Sequence, residues 1–200
     1  DRLLAGEIGK PELVVITSRD PAAPPAEYVK GSGGMFRDMT IHDFDMARYL
    51  VGDIVEVYAA GAVLVDPAIG AAGDIDTAMV TLRAASGALV QINNTRRCAY
   101  GYDQRIEAFG SKGMLQAGNR RATTVESWTA EHTAARDVVL DFFIARYAEA
   151  YAAEIEHFVT CLREKRTPLA SFGEGVEALR LADAALESFK SGRAVRLNEQ

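Results

Sequence analysis

Cysteine, tryptophan and histidine are scarce in this sequence: two, one and three residues out of 200. Cys98 and Cys161 form no Cys-x-x-Cys pair. That excludes a disulfide framework and a thiolate zinc module, and both are expected as free thiols in a reducing cytoplasm. Basic charge is also short, with 22 Lys and Arg against 28 Asp and Glu, a net charge of -6 and a pI near 5.2. Nucleic-acid affinity rests on clustered cations that neutralise phosphates, and no such stripe exists here, which excludes that class of partner. No stretch approaches the ~18 consecutive apolar residues of a membrane span, and the opening DRLLAGEIGKPE lacks the basic-then-apolar plan of a signal peptide. The three histidines make no H-x-x-x-H pair, so no metal is expected. No G-x-S-x-G elbow for a nucleophilic serine occurs. Gly31, Gly33 and Gly34 do not link a strand to a helix in G-x-G-x-x-G spacing, which excludes a dinucleotide fingerprint. They are expected to let the chain pass close beside a cleft.

What is present is 48% hydrophobic and 25% charged residues, the composition of an ordinary globular protein. One domain over residues 1–200 is expected. Leu3 and Leu4 read as the tail of a helix running into a turn at 6–9. Apolar runs at 12–21, 54–65, 76–84, 88–98, 104–110, 113–118 and 123–129 have strand character, with hairpin turns at Ser86-Gly87 and 110–113. The Pro- and Gly-rich stretch 21–34 reads as a loop. From 141 the apolar period lengthens to three and four residues (Ile144, Tyr147, Tyr151, Ile155, Phe158, Leu162), which predicts an amphipathic helix ending near Thr167-Pro168. A second helix carries Val176, Leu179, Ala182, Leu186 and Phe189 and stops before Gly192. The fold class is α+β: an open, mostly antiparallel β-sheet with helices on one face. In 54–65 both faces are largely apolar, whereas a sheet with one solvated face alternates cleanly. Either this strand is central in the monomer, or a second subunit covers the face that the helices leave.

The stretch GGMFRDMTIHDFD holds the candidate chemistry. On a helix at ~100° per residue, Asp38, His42, Asp45 and Tyr49 fall on one polar stripe, with Phe36, Met39, Thr40, Phe44, Ala47 and Leu50 on a broad opposite arc. Asp43 lies inside that arc, where a carboxylate needs hydrogen-bond partners, and is expected to tie the helix to neighbouring backbone. An imidazole with an ordinary pKa of ~6.5 takes or releases a proton near neutrality, and a carboxylate one turn away can orient it or bind a substrate hydroxyl. The other reading of the same residues is a satisfied, half-buried His42 with Asp38 as the helix N-cap.

SRDPAAPP, GGMFRDMTIHDFDMARYLVG, CAYGYDQRIEAFGSKGML, ARYAEAYAAEIEHFVTCL and a closing GRAVRL, in that order, resemble the C-terminal domain of the Gfo/Idh/MocA oxidoreductases over essentially the whole chain. The likeness is greatest to the inositol dehydrogenases of that family. It implies an open-sheet substrate domain of the glucose-fructose oxidoreductase type, working beside a Rossmann domain that binds NAD. It implies an NAD-dependent enzyme that oxidises a secondary hydroxyl of a polyol such as myo-inositol or a related sugar. By motif position, His42 resembles the catalytic proton acceptor and Asp38 the carboxylate that binds the hydroxyl and orients it, while Asp43 matches a structural position. Tyr100, Tyr102, Arg19 and Asp20 resemble substrate-side positions, and Tyr151 one near the cofactor. A homo-oligomer through the open sheet face is the implied assembly. No Rossmann unit precedes Asp1, and the Glu-Lys-Pro segment that supplies the family's catalytic lysine is absent. The expectation is therefore the substrate half, inactive alone. The alternative is a non-catalytic dimerisation or sugar-binding module with the same fold.

Overall fold

The computed structural model describes residues 1–197. Residues 2–8 form consecutive hydrogen-bonded turns rather than a helix end, with Ala5 N–H on the Asp1 carbonyl and Gly9 N–H on that of Gly6. Strand β1 (Pro11–Arg19) follows. Segment 21–34 is not loop throughout, because it contains the short helix α1 (Ala26–Ser32). Pro25 stands at its N-cap, where the missing N–H removes a donor that would have had no helical partner. Gly33 ends it in the left-handed conformation, φ 90°. Gly34 is also left-handed, and a Cβ on it would stand 3.2 Å from Asp74 Oδ1. The close approach that Gly34 permits is thus to Asp74, which accepts the Met35 N–H at 3.0 Å, whereas Gly33 lies against Arg37.

That segment opens as a π-helical turn, Phe36–Thr40, and continues as α2 (Ile41–Val51). Then come β2 (Ile54–Ala62), α3 (Pro67–Ala71), β3 (Thr77–Ala84), β4 (Leu89–Thr95), β5 (Asp103–Gly110) and β6 (Gly113–Ala117). The expected strand at 123–129 is reduced to β7 (Glu126–Ser127), paired with β8 (Ala135–Arg136) in a separate ribbon. The helix expected from 141 is in two pieces, α4 (Phe143–Arg146) and α5 (Ala148–Glu164). Tyr147 between them has non-helical dihedrals, φ -114° and ψ 14°, and Lys165 ends α5 in the left-handed region before Pro168 is reached. Helix α6 (Phe172–Ser191), capped by the Ser171 hydroxyl and ended by Gly192, leads to β9 (Val195–Arg196).

Among the described residues, seven strands form one sheet in the order β6-β5-β1-β4-β3-β2-β9. Every pairing is antiparallel except β1 with β4, which run parallel from Leu13↔Leu89 to Arg19↔Thr95. Period-2 alternation sends Val14, Ile16, Val57, Ala59, Val80, Leu82, Val90 and Ile92 into the core, against Phe44 and Ala47 of α2 and Leu181, Ala182 and Ala185 of α6. A bulge between Ile54 and Glu56 lets both Ile54 and Val57 face inward, which explains the mixed pattern read in 54–65. The opposite sheet face is open. Register aligns Met114, Phe109, Leu13 and Leu89 in one exposed apolar row across four strands. Helix α5 departs from the expected packing, because its apolar stripe, Ile155, Phe158 and Leu162 included, is exposed among the described residues.

Candidate active site

The parallel pair decides where the polar residues collect. Two strands running the same way bring both C-terminal ends to one edge, so Ser18 at the end of β1 and Asp20 just past it lie beside Asn94 at the end of β4 and Arg96 just past it. Antiparallel β5 adds the residues at its start, Tyr102 and Gln104. The π-helical turn and the first turn of α2 lie over this edge, and α1 borders it with Tyr28.

Asp38 is held from two sides. Its Oδ2 accepts from the Arg96 guanidinium at 2.8 Å and its Oδ1 from the Tyr28 hydroxyl at 2.6 Å. It is therefore not the N-cap of the helix, a place taken by Met35 with no side-chain cap. The phenol of Tyr28 is held protonated by that bond, its pKa raised by the carboxylate it donates to. Asp20 lies 4.0 Å from Arg96. Burial pushes its pKa up to about 6, against the pull of Arg96 and with the help of the Asp38 charge. Asp43 points inward, buried, and its Oδ2 accepts from the Asn94 amide at 2.7 Å. Asn94 also accepts from the Thr40 hydroxyl at 2.8 Å and donates to the Ser18 carbonyl at 3.3 Å. The anchor of Asp43 is thus a side chain, not the backbone expected for it. Burial pushes its pKa up to about 7, and the Asn94 bond only partly offsets that.

His42 follows Asp38 by four residues, in the first turn of α2, and is exposed. Tyr102 forms the far wall. Its ring meets Tyr147 edge-on at 6.1 Å and Phe142 at 6.5 Å. Burial raises its pKa, reinforced by Tyr147 and by the carboxylates of Asp20 and Asp43, so the phenol is a hydrogen-bond donor at any physiological pH. Tyr147 donates to Gln104 Oε1 at 3.3 Å, and Gln104 donates to the Ser18 hydroxyl at 2.9 Å. The result is a cluster of three carboxyl groups and one buried guanidinium at the ends of β1 and β4, with the Tyr102–Tyr147 pair beside it and the exposed His42 four residues past Asp38. Such a cluster offers hydrogen-bond acceptors to a hydroxyl, and an exposed imidazole is a group that can take up a proton.

The GFO/IDH/MocA C-terminal domain family model matches residues 1–116. The chain belongs to that family. A Thermotoga maritima protein named myo-inositol 2-dehydrogenase is 52% identical over 195 residues, which are 97% of this chain and 58% of the relative. The crystal structure of a myo-inositol dehydrogenase from Corynebacterium glutamicum superposes with a TM-score of 0.97 at 51% identity, covering 100% of this chain and 60% of that one. A scyllo-inositol dehydrogenase from Lactobacillus casei, solved with NAD(H) and scyllo-inositol, has a TM-score of 0.86 at 28% identity, covering 98% of this chain and 59% of that one. The chain thus spans about three fifths of the length of the relatives it matches.

Of the residues singled out for this GFO/IDH/MocA domain, Asp38, Asp20 and Tyr102 gather near the ends of β1, β4 and β5, and His42 is exposed four residues past Asp38. Arg19 and Tyr100 are elsewhere. Arg19 donates to Tyr100 Oη at 3.0 Å and to Asn93 Oδ1 at 2.9 Å, and the Tyr100 hydroxyl donates to Asp103 Oδ2 at 2.5 Å. Side chains 19, 93 and 103 share the open sheet face, because each is directly followed or preceded in its strand by a residue facing the cleft. Tyr151 is exposed one helical turn past Tyr147. Sequence reasoning passed over Arg96, Asn94, Tyr28 and Tyr147. It also passed over the His157/Cys161 pair at i, i+4, where the buried thiol lies 3.5 Å from His157 Nε2, an atom that also accepts the Leu169 N–H. Among the described residues no cluster of three or more metal-ligating side chains occurs, and no helix is long and apolar enough to cross a membrane.

Proposed function

We propose that residues 1–200 are the substrate and oligomerisation domain of a two-domain, NAD-dependent dehydrogenase that oxidises a secondary hydroxyl of a polyol, an inositol or a related sugar. The observation that carries this reading is Asp38, held on both oxygens by Arg96 and Tyr28, four residues before the exposed His42. The names of the relatives supply the substrate class. In the reaction, Asp38 accepts a hydrogen bond from the substrate and His42 takes the proton of the reacting O–H. The C–H electron pair of the same carbon leaves as hydride, and the carbinol becomes a carbonyl. NAD supplies the hydride acceptor when bound. It fits this chain only as a guest held mainly elsewhere, since the described residues offer no glycine-rich strand-to-helix turn, while the exposed His42 and Tyr151 leave the mouth open to it. Tyr102 and Asp20 contribute the remaining substrate contacts. The exposed row of Met114, Phe109, Leu13 and Leu89 supports association of a second copy through the open sheet face. Two buried free thiols suit a cytoplasmic enzyme.

The test is turnover of the protein as its gene encodes it, measured as NADH formation across a panel of inositols and sugars. His42→Ala is expected to lower kcat by a factor on the order of 10² to 10⁴, the span of a general base. An unchanged kcat with an unchanged pH profile would return His42 to a structural role. Residues 1–200 alone are expected to form no NADH from NAD and myo-inositol, and a signal lost on His42→Ala would refute the two-domain reading. A non-catalytic sugar-binding module has no need of an exposed imidazole beside a carboxylate pinned on both oxygens.

A further inference from the structure

Arg96 is 2% exposed and follows the last residue of β4. Its guanidinium reaches Asp38 at 2.8 Å and Asp20 at 4.0 Å, and its Nε is buried with no partner. Its neighbour Arg97 faces the other way, exposed, and merely touches the Leu64 carbonyl at 3.4 Å. Leaving a donor of a buried cation unsatisfied is costly, and such a cost persists where the group's direction is fixed by something else. Here that is Asp38. The carboxylate sits on a π-helical turn, an irregularity that re-aims side chains and recurs at functional sites. With Arg96 on one oxygen and Tyr28 on the other, both the plane and the rotamer of Asp38 are determined. Each oxygen keeps a lone pair for a further donor.

We propose that Arg96 is a positioning residue for the reaction above: it touches no substrate and acts mainly through Asp38, whose orientation it sets at 2.8 Å, and only weakly through Asp20 at 4.0 Å. The inference rests on the dehydrogenase reading. The groups around the guanidinium are Asp20 after β1, Asp38 on the π-helical turn and Tyr28 on α1, with Asp43 and Tyr102 beyond Asp20. A misplacement of the binding carboxylate by about 1 Å is enough to cost on the order of 10²-fold in rate. Loss of the guanidinium is therefore felt in kcat and in the KM of the polyol, but not in the KM of NAD.

The experiment is a double-mutant cycle on the protein as its gene encodes it, with Arg96→Met, Asp38→Asn and the pair, each checked by thermal melting. Arg96→Met is expected to lower kcat/KM for the polyol by on the order of 10²-fold, with the KM of NAD unchanged. In the Asp38→Asn background the same substitution should cost less than about threefold, because only the longer contact with Asp20 is left to hold. Arg96→Lys should recover part of the loss, since an ammonium keeps the charge but not the planar fork. Tyr28→Phe, on an exposed side chain that the fold does not need, should lower kcat/KM in the same direction by a smaller factor, and serves as the readout if Arg96→Met does not fold. Additive losses in the cycle, an NAD KM that rises with the polyol KM, or a Tyr28→Phe protein indistinguishable from wild type would overturn the assignment. A wild-type protein that reduces no NAD with any polyol would instead overturn the dehydrogenase reading, and this one with it.

Discussion

Asp43→Asn should stabilise the fold at neutral pH and leave it unchanged in mild acid. Asp43 is buried against Asn94, and burial pushes its carboxyl up to about 7. In the unfolded chain the same group titrates near ~3.9. Between those values the native state holds a proton that the unfolded state has lost, so stability falls as pH rises through the window. The distance from ~3.9 to about 7 corresponds to roughly 4 kcal/mol at ~1.36 kcal/mol per pH unit, an upper limit on what ionising Asp43 costs by pH 8. Asparagine keeps the shape and still accepts from the Asn94 amide, but carries no proton to lose. Urea unfolding at pH 4.5, 6, 7 and 8 would read the effect. The wild type should lose stability across the series, whereas Asp43→Asn should lose several-fold less, so that the two curves diverge above pH 5. Asp20, pushed up to about 6, contributes with the same sign in both proteins, and since its charge helps to raise Asp43, the difference between the curves includes that coupling. Parallel curves from pH 4.5 to 8 would show that Asp43 is ionised in the native state and that the helix is anchored by a charge, contrary to the reasoning above.

Asp103→Asn has the opposite pH signature. Burial opposes ionisation of Asp103, but hydrogen bonds from Arg105, Tyr100 and Asn119 outweigh it and hold the group down to about 2. Its ionised form therefore contributes roughly 2 kcal/mol that is fully present above pH ~4 and lost as pH falls through about 2. Acid titrations of wild type and variant, monitored by circular dichroism, should converge below that point. Phe109→Glu places a charge in the exposed apolar row of the open face and should weaken self-association by ~10²-fold or more, read as a drop in mass by light scattering at micromolar concentration. An unchanged oligomer would mean that the copies meet elsewhere.

The elements legible in the sequence were those with a local signal. The period of two in β3 and β4, the Ser86-Gly87 turn of their hairpin and the three-and-four spacing of α6 are all properties of a dozen adjacent residues. The parallel partnership of β1 and β4 is not, because it depends on how the intervening helices and hairpin route the chain. With it went Arg96 and Asn94: a lone arginine or asparagine near a strand end has no pattern until another strand end lies beside it. Tyr28 was hidden because a proline-rich stretch reads as loop, and the helix that aims its phenol begins at the last of those prolines. The displacement of Arg19 and Tyr100 had a signal that went unused. Arg19 and Asp20 are consecutive at the end of an extended strand, and consecutive strand residues face opposite ways, so both could not serve one pocket.

That alternation also ties the two faces of the sheet together. Arg19, Asn93 and Asp103 build a charged cluster on the open face, and their immediate neighbours Asp20, Asn94 and Tyr102 build the cleft. The Asp103 cluster clamps the ends of β1, β4 and β5 through Arg19, Asn93 and Arg105. A strand end fixed by one residue is fixed for the next, so the clamp on one face sets the spacing of the carboxylates on the other. Helix α2 then needs only Asp43 on Asn94 to be indexed to those strands, and the π-helical turn carries Asp38 from that anchor to Arg96. The polar residues of the cleft are held in place from beneath the sheet as much as from within the site. Rigidity of this kind suits the proposed role, orienting one hydroxyl among the several of a polyol, since binding energy is then spent on orientation rather than on ordering the protein.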